Sequence, residues 1–142
     1  LDHAIETARA IFRAAPFVAD LGIEPTAVAA GRCETQLVLQ PRLMQHTGQA
    51  HAGVVATLAD HTAGAAAQST LPAGALAITA EMKVSLMRPA TGERLVCTAV
   101  VVKGGRTIVF TESEVHAIQA GERRLVAKFS ATMAVVATKA TP

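Results

Sequence analysis

A loop rich in polar residues and glycine, Gln45-His46-Thr47-Gly48-Gln49-Ala50-His51-Ala52-Gly53, runs into a segment of small apolar residues interrupted by one carboxylate, Asp60. These residue types can do acyl chemistry. Gly48 and Gly53 let backbone come close to a ligand, and the first N–H groups of a helix have no partner inside it. Such an N-terminus favours negative charge or a polarised carbonyl oxygen. A carboxylate nearby could act as general base on water or attack the same carbon itself. His51, at the junction, could bind a ligand; it could equally cap or pack the turn.

The element that positions these groups reads as a helix from about Ala52 to Ser69, with Ala, Gly, Val, Thr and Leu on every side, the pattern of a helix buried all round. Asp60 then falls in or beside a dry core, where an isolated charge is costly unless it is hydrogen-bonded, protonated or open to a cleft. The alternative is a narrow exposed strip shared with His61. Gly53 and Asp60 are seven residues apart, which along one helix is about 10 Å. They cannot both grip one carbonyl group, so a site using both is expected to draw them from different subunits across a dimer interface, two sites per dimer.

His51-Ala52-Gly53 followed by Asp60, nine residues after the histidine, resembles the His-Gly-Gly and downstream-acid signature of hotdog-fold acyl-CoA thioesterases of the phenylacetate-degradation (PaaI-like) type. The resemblance covers most of the chain: a leading helix, the Leu21-Gly22-Ile23 strand start, the loop and central helix, Met87-Arg88-Pro89-Ala90 after a strand, and Lys103-Gly104-Gly105-Arg106-Thr107 at a hairpin. Ala52 departs from it, standing where the family has the first glycine of its pair. The resemblance implies an α+β hotdog fold, a curled and mostly antiparallel sheet wrapped round a hydrophobic helix, with an additional N-terminal helix. It implies hydrolysis of an acyl-CoA, aryl or medium-chain, to the free acid and CoA. The Gly53 N–H, assisted by Val54, would polarise the carbonyl and Asp60 would be base or nucleophile. By matching positions, Gln45 (often Asn in the family) would orient water or the leaving sulfur, His51 would steady loop and thioester, and Thr79 would position water. A homodimer joined sheet edge to sheet edge follows from the resemblance, and back-to-back homotetramers are common in such families.

Simple alternation puts Thr79 opposite the apolar face of its strand, so it reaches the site only through a bulge or from a partner chain. For the CoA phosphates, Arg88, Lys103, Arg106 and the Gly104-Gly105 backbone are candidate contacts near strand ends; as surface charges and a hairpin turn they need no ligand. Lys103-Gly-Gly-Arg lacks the spacing of a phosphate-binding P-loop, and no Gly-x-Ser-x-Gly elbow marks a serine hydrolase. No metal and no separate cofactor is called for, CoA being part of the substrate.

With 142 residues, 51% of them hydrophobic, the chain suits one domain with a real core. A net charge of +2 from interspersed acids and bases, with no Trp, no Tyr and four Phe, does not suggest a nucleic-acid surface. Cys33 and Cys97 lie far apart without metal-ligand or disulfide spacing, so reduced thiols and a cytoplasmic location are expected. No apolar run is long enough for a membrane span, and Leu1-Asp2-His3 lacks the order of a secretory signal.

Along the chain, Ile5, Ala8, Ile11, Phe12 and Ala15 recur at helical spacing, predicting an amphipathic helix within residues 1–19 that Pro16 bends or ends. Alternation from Ile23 to Leu39 predicts two strands about a turn at Gly31, and Pro41 ends the ladder. A strand then sets Leu76, Ile78, Ala80, Met82, Val84 and Leu86 on one face against Thr79, Glu81, Lys83 and Ser85. Arg94–Val102 and Thr107–Ala117 flank Gly104-Gly105, a dipeptide suited to a two-residue turn with positive φ. After Gly121 the last strand is expected to bury Leu125, Ala127, Phe129, Ala131, Met133 and Val135, leaving residues 138–142 as a loose end.

Three other functions stay open at this stage. A non-catalytic acyl-CoA-binding module would use the same cleft without a placed carboxylate. A structural dimer would give Asp60 no purpose. A hotdog dehydratase would need a paired His and Asp pattern that is not seen around Asp60.

Overall fold

The computed structural model describes residues 2–138. Two helices come first, α1 (Asp2–Ala14) and α2 (Pro16–Leu21), then β1 (Glu24–Ala29), β2 (Arg32–Val38), a 3-10 turn at Pro41–Leu43, the long helix α3 (Ala52–Gln68), and β3 (Ala75–Leu86), β4 (Arg94–Lys103), β5 (Ile108–Gln119) and β6 (Glu122–Ala137). The six strands form one antiparallel sheet in the order β1-β2-β4-β5-β6-β3. Its inner face is packed against α3.

The break between α1 and α2 is local chemistry. Pro16 occupies the first turn of α2, and Ala15 before it is extended at ψ 102°, as a residue preceding proline prefers. In α1, Ala4, Ala8 and Phe12 are buried at four-residue spacing, so this helix lies on the domain by one apolar stripe.

Small side chains let α3 sit close to the sheet, and its buried hydroxyl and carbonyl groups are matched to the strands. The Thr35 and Thr62 hydroxyls share a hydrogen bond of 2.7 Å, Thr62 donates to the Leu58 carbonyl at 2.6 Å, and Ser113 donates to the Ala59 carbonyl at 3.0 Å. These bonds satisfy polar atoms that would otherwise be stranded in a dry core. Leu58, Leu37 and Leu95 surround them with no exposure, each burial worth about 1.5–3 kcal/mol before chain entropy is charged against it.

Two bulges change the alternation read from the sequence. In β3 the pairing steps from Thr79 opposite Met133 to Glu81 opposite Thr132, so Ala80 is an extra residue. Thr79, Met82 and Val84 thereby share the face of the buried Met133, Ala131 and Phe129, whereas Leu76, Ile78 and Glu81 lie on the other. An extra residue in a ladder inverts the faces beyond it, so the single apolar face expected from Leu76 to Leu86 is split. In β6 the step from Ala127 to Leu125 leaves Val126 as the extra residue; Val126 is buried and Leu125 only half-buried.

Gly104-Gly105 does not make the expected turn. Neither glycine has positive φ, and four residues separate β4 from β5. Gly105 is instead required by close approach, since a Cβ there would run into the Ile108 carbonyl. The two-residue turn with positive φ lies at Ala120 (51°) and Gly121 (78°). At the far end, Thr138 donates from its backbone N–H to the Gly74 carbonyl at 2.8 Å; the rest of the expected loose end, residues 139–142, lies outside the described residues.

Candidate active site

The loop before α3 is tied down at both sides. Gln45 donates its N–H to the Gln49 carbonyl at 2.8 Å, Gly48 turns back to Gln45 with φ +82°, Ala50 donates to the Ala90 carbonyl at 2.9 Å and His51 to the Leu43 carbonyl at 3.0 Å. The Gln45 side chain is held in its own loop, its amide donating to the Thr47 hydroxyl at 2.7 Å.

His51 caps α3. Its ring Nδ1 accepts the Gly53 N–H at 2.9 Å, and its carbonyl accepts the N–H groups of Val54 and Val55 at 2.9 and 3.2 Å. An accepting Nδ1 carries no proton, so in the neutral ring the proton is assigned to Nε2. The sequence reading expects a free Gly53 N–H; in the chain by itself that donor is engaged. Gly53 is small for a related reason, because a Cβ there would stand 3.1 Å from the His51 Nδ1.

Two turns further along α3, Asp60 is half-buried, on a strip with Gly53, Thr57 and Gly64 that the other described residues leave open. It is neither sealed in the core nor fully in water. Its Oδ1 accepts a hydrogen bond of 2.7 Å from the Thr79 hydroxyl, and Thr79 faces inward because of the bulge at Ala80. Thr79 therefore reaches Asp60 within one chain. The hydroxyl occupies one carboxylate oxygen and leaves Oδ2 to act on a ligand or water.

His61 faces the other way. Its Nε2 lies 3.2 Å from the Ile11 carbonyl and its ring meets Phe12 edge-on at 4.8 Å, pinning α1 to α3. Burial lowers its pKa from 6.5, outweighing the Ile11 carbonyl and Asp60, which raise it. A histidine whose folded pKa lies below its unfolded value adds stability above the unfolded pKa, and that stability is lost as pH falls through 6.5. Thermal unfolding followed from pH 7.5 to 5 is expected to show Tm falling below about pH 6.5, and His61→Gln to flatten this slope. His116, also shifted down by burial, keeps the slope from vanishing.

Arg88 and the Lys103–Arg106 loop are not brought together. Arg88 donates to the Leu125 carbonyl at 2.9 Å near Ala90, at the end of the sheet where α3 begins. Gly104, Gly105 and Arg106 line a cavity of about 550 Å³ with Thr70–Ala75, where α3 ends. The 12-residue strand β3 lies between, about 36 Å of extended chain. Cys33 and Cys97 are free and buried, and burial pushes both thiols up to about 12, so neither supplies a thiolate nucleophile. Among the described residues no three metal-ligating side chains converge, and no helix is long and apolar enough to cross a membrane.

The chain matches, over residues 6–136, the family model described as a domain of unknown function, DUF4442. The crystal structure of a thioesterase family protein from Silicibacter pomeroyi superposes with a TM-score of 0.92 over 95% of this chain and 99% of that one, at 34% identity. The structure of the PaaI protein from the E. coli phenylacetic acid degradation operon matches 98% of both chains with a TM-score of 0.84 at 20% identity, a likeness of fold. A curated protein of Halobacterium salinarum, provisionally named an esterase, is 33% identical over 100 residues. That match takes in 67% of this chain and 66% of the relative, so just under two thirds of the relative's length is spanned.

Proposed function

We propose that this chain, which belongs to the thioesterase family of hotdog-fold proteins and to the DUF4442 domain family, hydrolyses acyl-CoA thioesters to the free acid and CoA. The observation that carries the proposal is the 2.7 Å hydrogen bond from Thr79 to Asp60 on the one open strip of α3. A carboxylate aimed by a hydroxyl and left with a free oxygen is what water activation needs.

In this mechanism Asp60 Oδ2 takes a proton from water as the water oxygen bonds to the thioester carbon. The carbon–sulfur bond then breaks, and the CoA sulfur leaves with the proton. In the alternative route the carboxylate attacks first and expels the CoA thiolate, giving a mixed anhydride that water opens to the free acid and the carboxylate, the proton released going to the thiolate. Charge on the carbonyl oxygen is met by the Gly53 N–H, which exchanges His51 Nδ1 for the substrate oxygen; the Val54 N–H stays on the His51 carbonyl at 2.9 Å. His51 is exposed, so its ring is free to swing aside. Gln45 is assigned the orienting of water or the leaving sulfur, for which its amide would exchange the Thr47 hydroxyl.

The unit of function is a homodimer. β3 is a sheet edge of 12 residues, with Ile78 and Met82 about half exposed, and a long edge of this kind calls for a cover. Two-fold antiparallel pairing of β3 with its copy sets one subunit's Gly53 beside the other's Asp60. The same operation carries the Lys103–Arg106 loop of one subunit to the Arg88 end of the other, where together they could hold CoA phosphates.

Thiol release from short, medium, long and aryl acyl-CoAs tests the activity. Thr79→Val is expected to lower kcat about tenfold or more with little change in KM, and Thr79→Ser to restore it, since only the hydroxyl is invoked. An equal loss in both variants would remove Thr79 from the mechanism. The His51–Gly53 hydrogen bond favours a second reading, an acyl-CoA-binding module without catalysis. Tight binding of CoA esters with no thiol release from any of them would establish that reading instead.

A further inference from the structure

A cavity of about 770 Å³ opens between α1, the end of α2 and the start of β1, and its lining shares no residue with the strip that carries Gly53 and Asp60. Small-molecule sites typically measure about 300–1,000 Å³. Phe12 and Ile23, 2% and 3% exposed, close its inner end with apolar surface, and Ala10 and Ala19 continue that surface outward.

The same lining holds four charges, Glu6, Arg9, Arg13 and Glu24. Among the described residues neither arginine lies within 4 Å of a carboxylate oxygen or donates a side-chain hydrogen bond, although two carboxylates share the cavity with them. Arg9 and Arg13 are four residues apart on α1, so their side chains leave one face of the helix as neighbours. Each guanidinium presents five donors in a planar fork that fits a carboxylate bidentately. Glu6 and Glu24, by contrast, stand on different elements, α1 and β1, and are not a pair on one helix face as the arginines are.

Two features narrow the occupant. With two cations and two anions the lining is neutral, so it offers a polyanion such as free CoA no net attraction, whereas a single carboxylate can be shared by the adjacent forks. β1 is an edge strand with Pro25 in it and a bulge between Pro25 and Ala27. Proline and a bulge blunt an edge against strand addition, which argues for a small molecule over an extended peptide.

We infer that this cavity binds a medium-chain carboxylic acid. The carboxylate lies on Arg9 and Arg13, and the apolar chain runs inward over Ala10 and Ala19 toward Phe12 and Ile23. An engineered cavity of about 150 Å³ holds one benzene, so the 770 Å³ here has room for the chain as well as the head. Acids of this class are also what the proposed hydrolysis releases, but the site stands on its own lining and its binding is measured without turnover.

The test is isothermal titration of the full chain with octanoate, octanol, octylamine, octyl phosphate and free CoA. Octanoate is expected to bind at least about tenfold more tightly than each of the others. Arg9→Gln/Arg13→Gln is expected to weaken octanoate at least about tenfold, the scale of one lost charged hydrogen bond. Ala10→Phe, which fills the apolar side and keeps the charges, should do the same. Arg88→Gln, a charge removed at the end of the sheet where α3 begins, should leave octanoate binding within about twofold of wild type. Circular dichroism checks the fold of each variant; should Ala10→Phe not fold, the paired arginine variant, altered only at exposed positions, carries the comparison. The inference is overturned if octanoate does not bind, if the arginine variant loses less than tenfold, or if Arg88→Gln weakens binding as much as that variant does. Octanol or octylamine binding as well as octanoate would remove the carboxylate from recognition, and tighter binding of octyl phosphate or CoA would reassign the arginines to phosphate; either overturns it too.

Discussion

Asp60→Asn is expected to lower kcat/KM for acyl-CoA hydrolysis by about a hundredfold to ten-thousandfold, the range for loss of a positioned general base, with the fold intact by circular dichroism. The asparagine still offers an oxygen to the Thr79 hydroxyl, so the 2.7 Å bond survives and the strip keeps its shape. What disappears is an oxygen able to take a proton or attack carbon. Asp60→Ala removes the Thr79 partner as well, and no deeper loss is expected if chemistry alone is at stake. Thiol release by both variants at near wild-type rates would take the carboxylate out of the reaction. A single turnover in ¹⁸O-water separates the two routes. Direct addition of water leaves Asp60 unlabelled, whereas a mixed anhydride opened at the aspartyl carbon places the label in its side chain.

The sequence makes α3 legible because its small residues and the polar loop before it agree; the helix spans Ala52–Gln68 against the expected Ala52–Ser69. The α1–α2 break at Pro16 and the turn at Gly31 are legible for the same reason, since proline and glycine act through their own backbones. Thr79 is different. Its inward aim depends on Ala80 being left out of the β3–β6 ladder, and a bulge is a property of two strands in register, which alternation along one strand cannot reveal. That Thr79 needed a bulge could be read; that Ala80 supplies it could not. Gly104-Gly105 misleads because a dipeptide compatible with positive φ is not compelled to adopt it, and here the nearness of the Ile108 carbonyl decides. At Gly53 the histidine two residues before is a cap visible in the string. A cap at His51 is one of its two sequence readings; that the donor it takes is the Gly53 N–H, expected to be free, comes only from the geometry of the chain.

Mixing subunits is expected to restore activity that neither parent has. Gly53→Pro deletes the N–H at that position while staying within the first turn of α3, where proline is tolerated, and Asp60→Asn deletes the base; each homodimer then has two broken sites. In a heterodimer, the Gly53 of the Asp60→Asn subunit faces the Asp60 of the Gly53→Pro subunit, and that one site is whole. Random pairing in a two-fold dimer gives half heterodimers with one intact site in two, so about a quarter of wild-type activity should return. The reasoning rests on distance. Seven helical residues put Gly53 and Asp60 about 10 Å apart along α3, and Thr79 holds the carboxylate sideways toward β3, not back toward the helix start. A hydrogen bond to the carbonyl oxygen spans about 3 Å, too short to close that gap within one chain. Co-expression with two affinity tags isolates the heterodimer and removes the need for exchange. If the purified heterodimer is as inactive as its parents, each site lies within one subunit and the Gly53 N–H belongs to His51 alone.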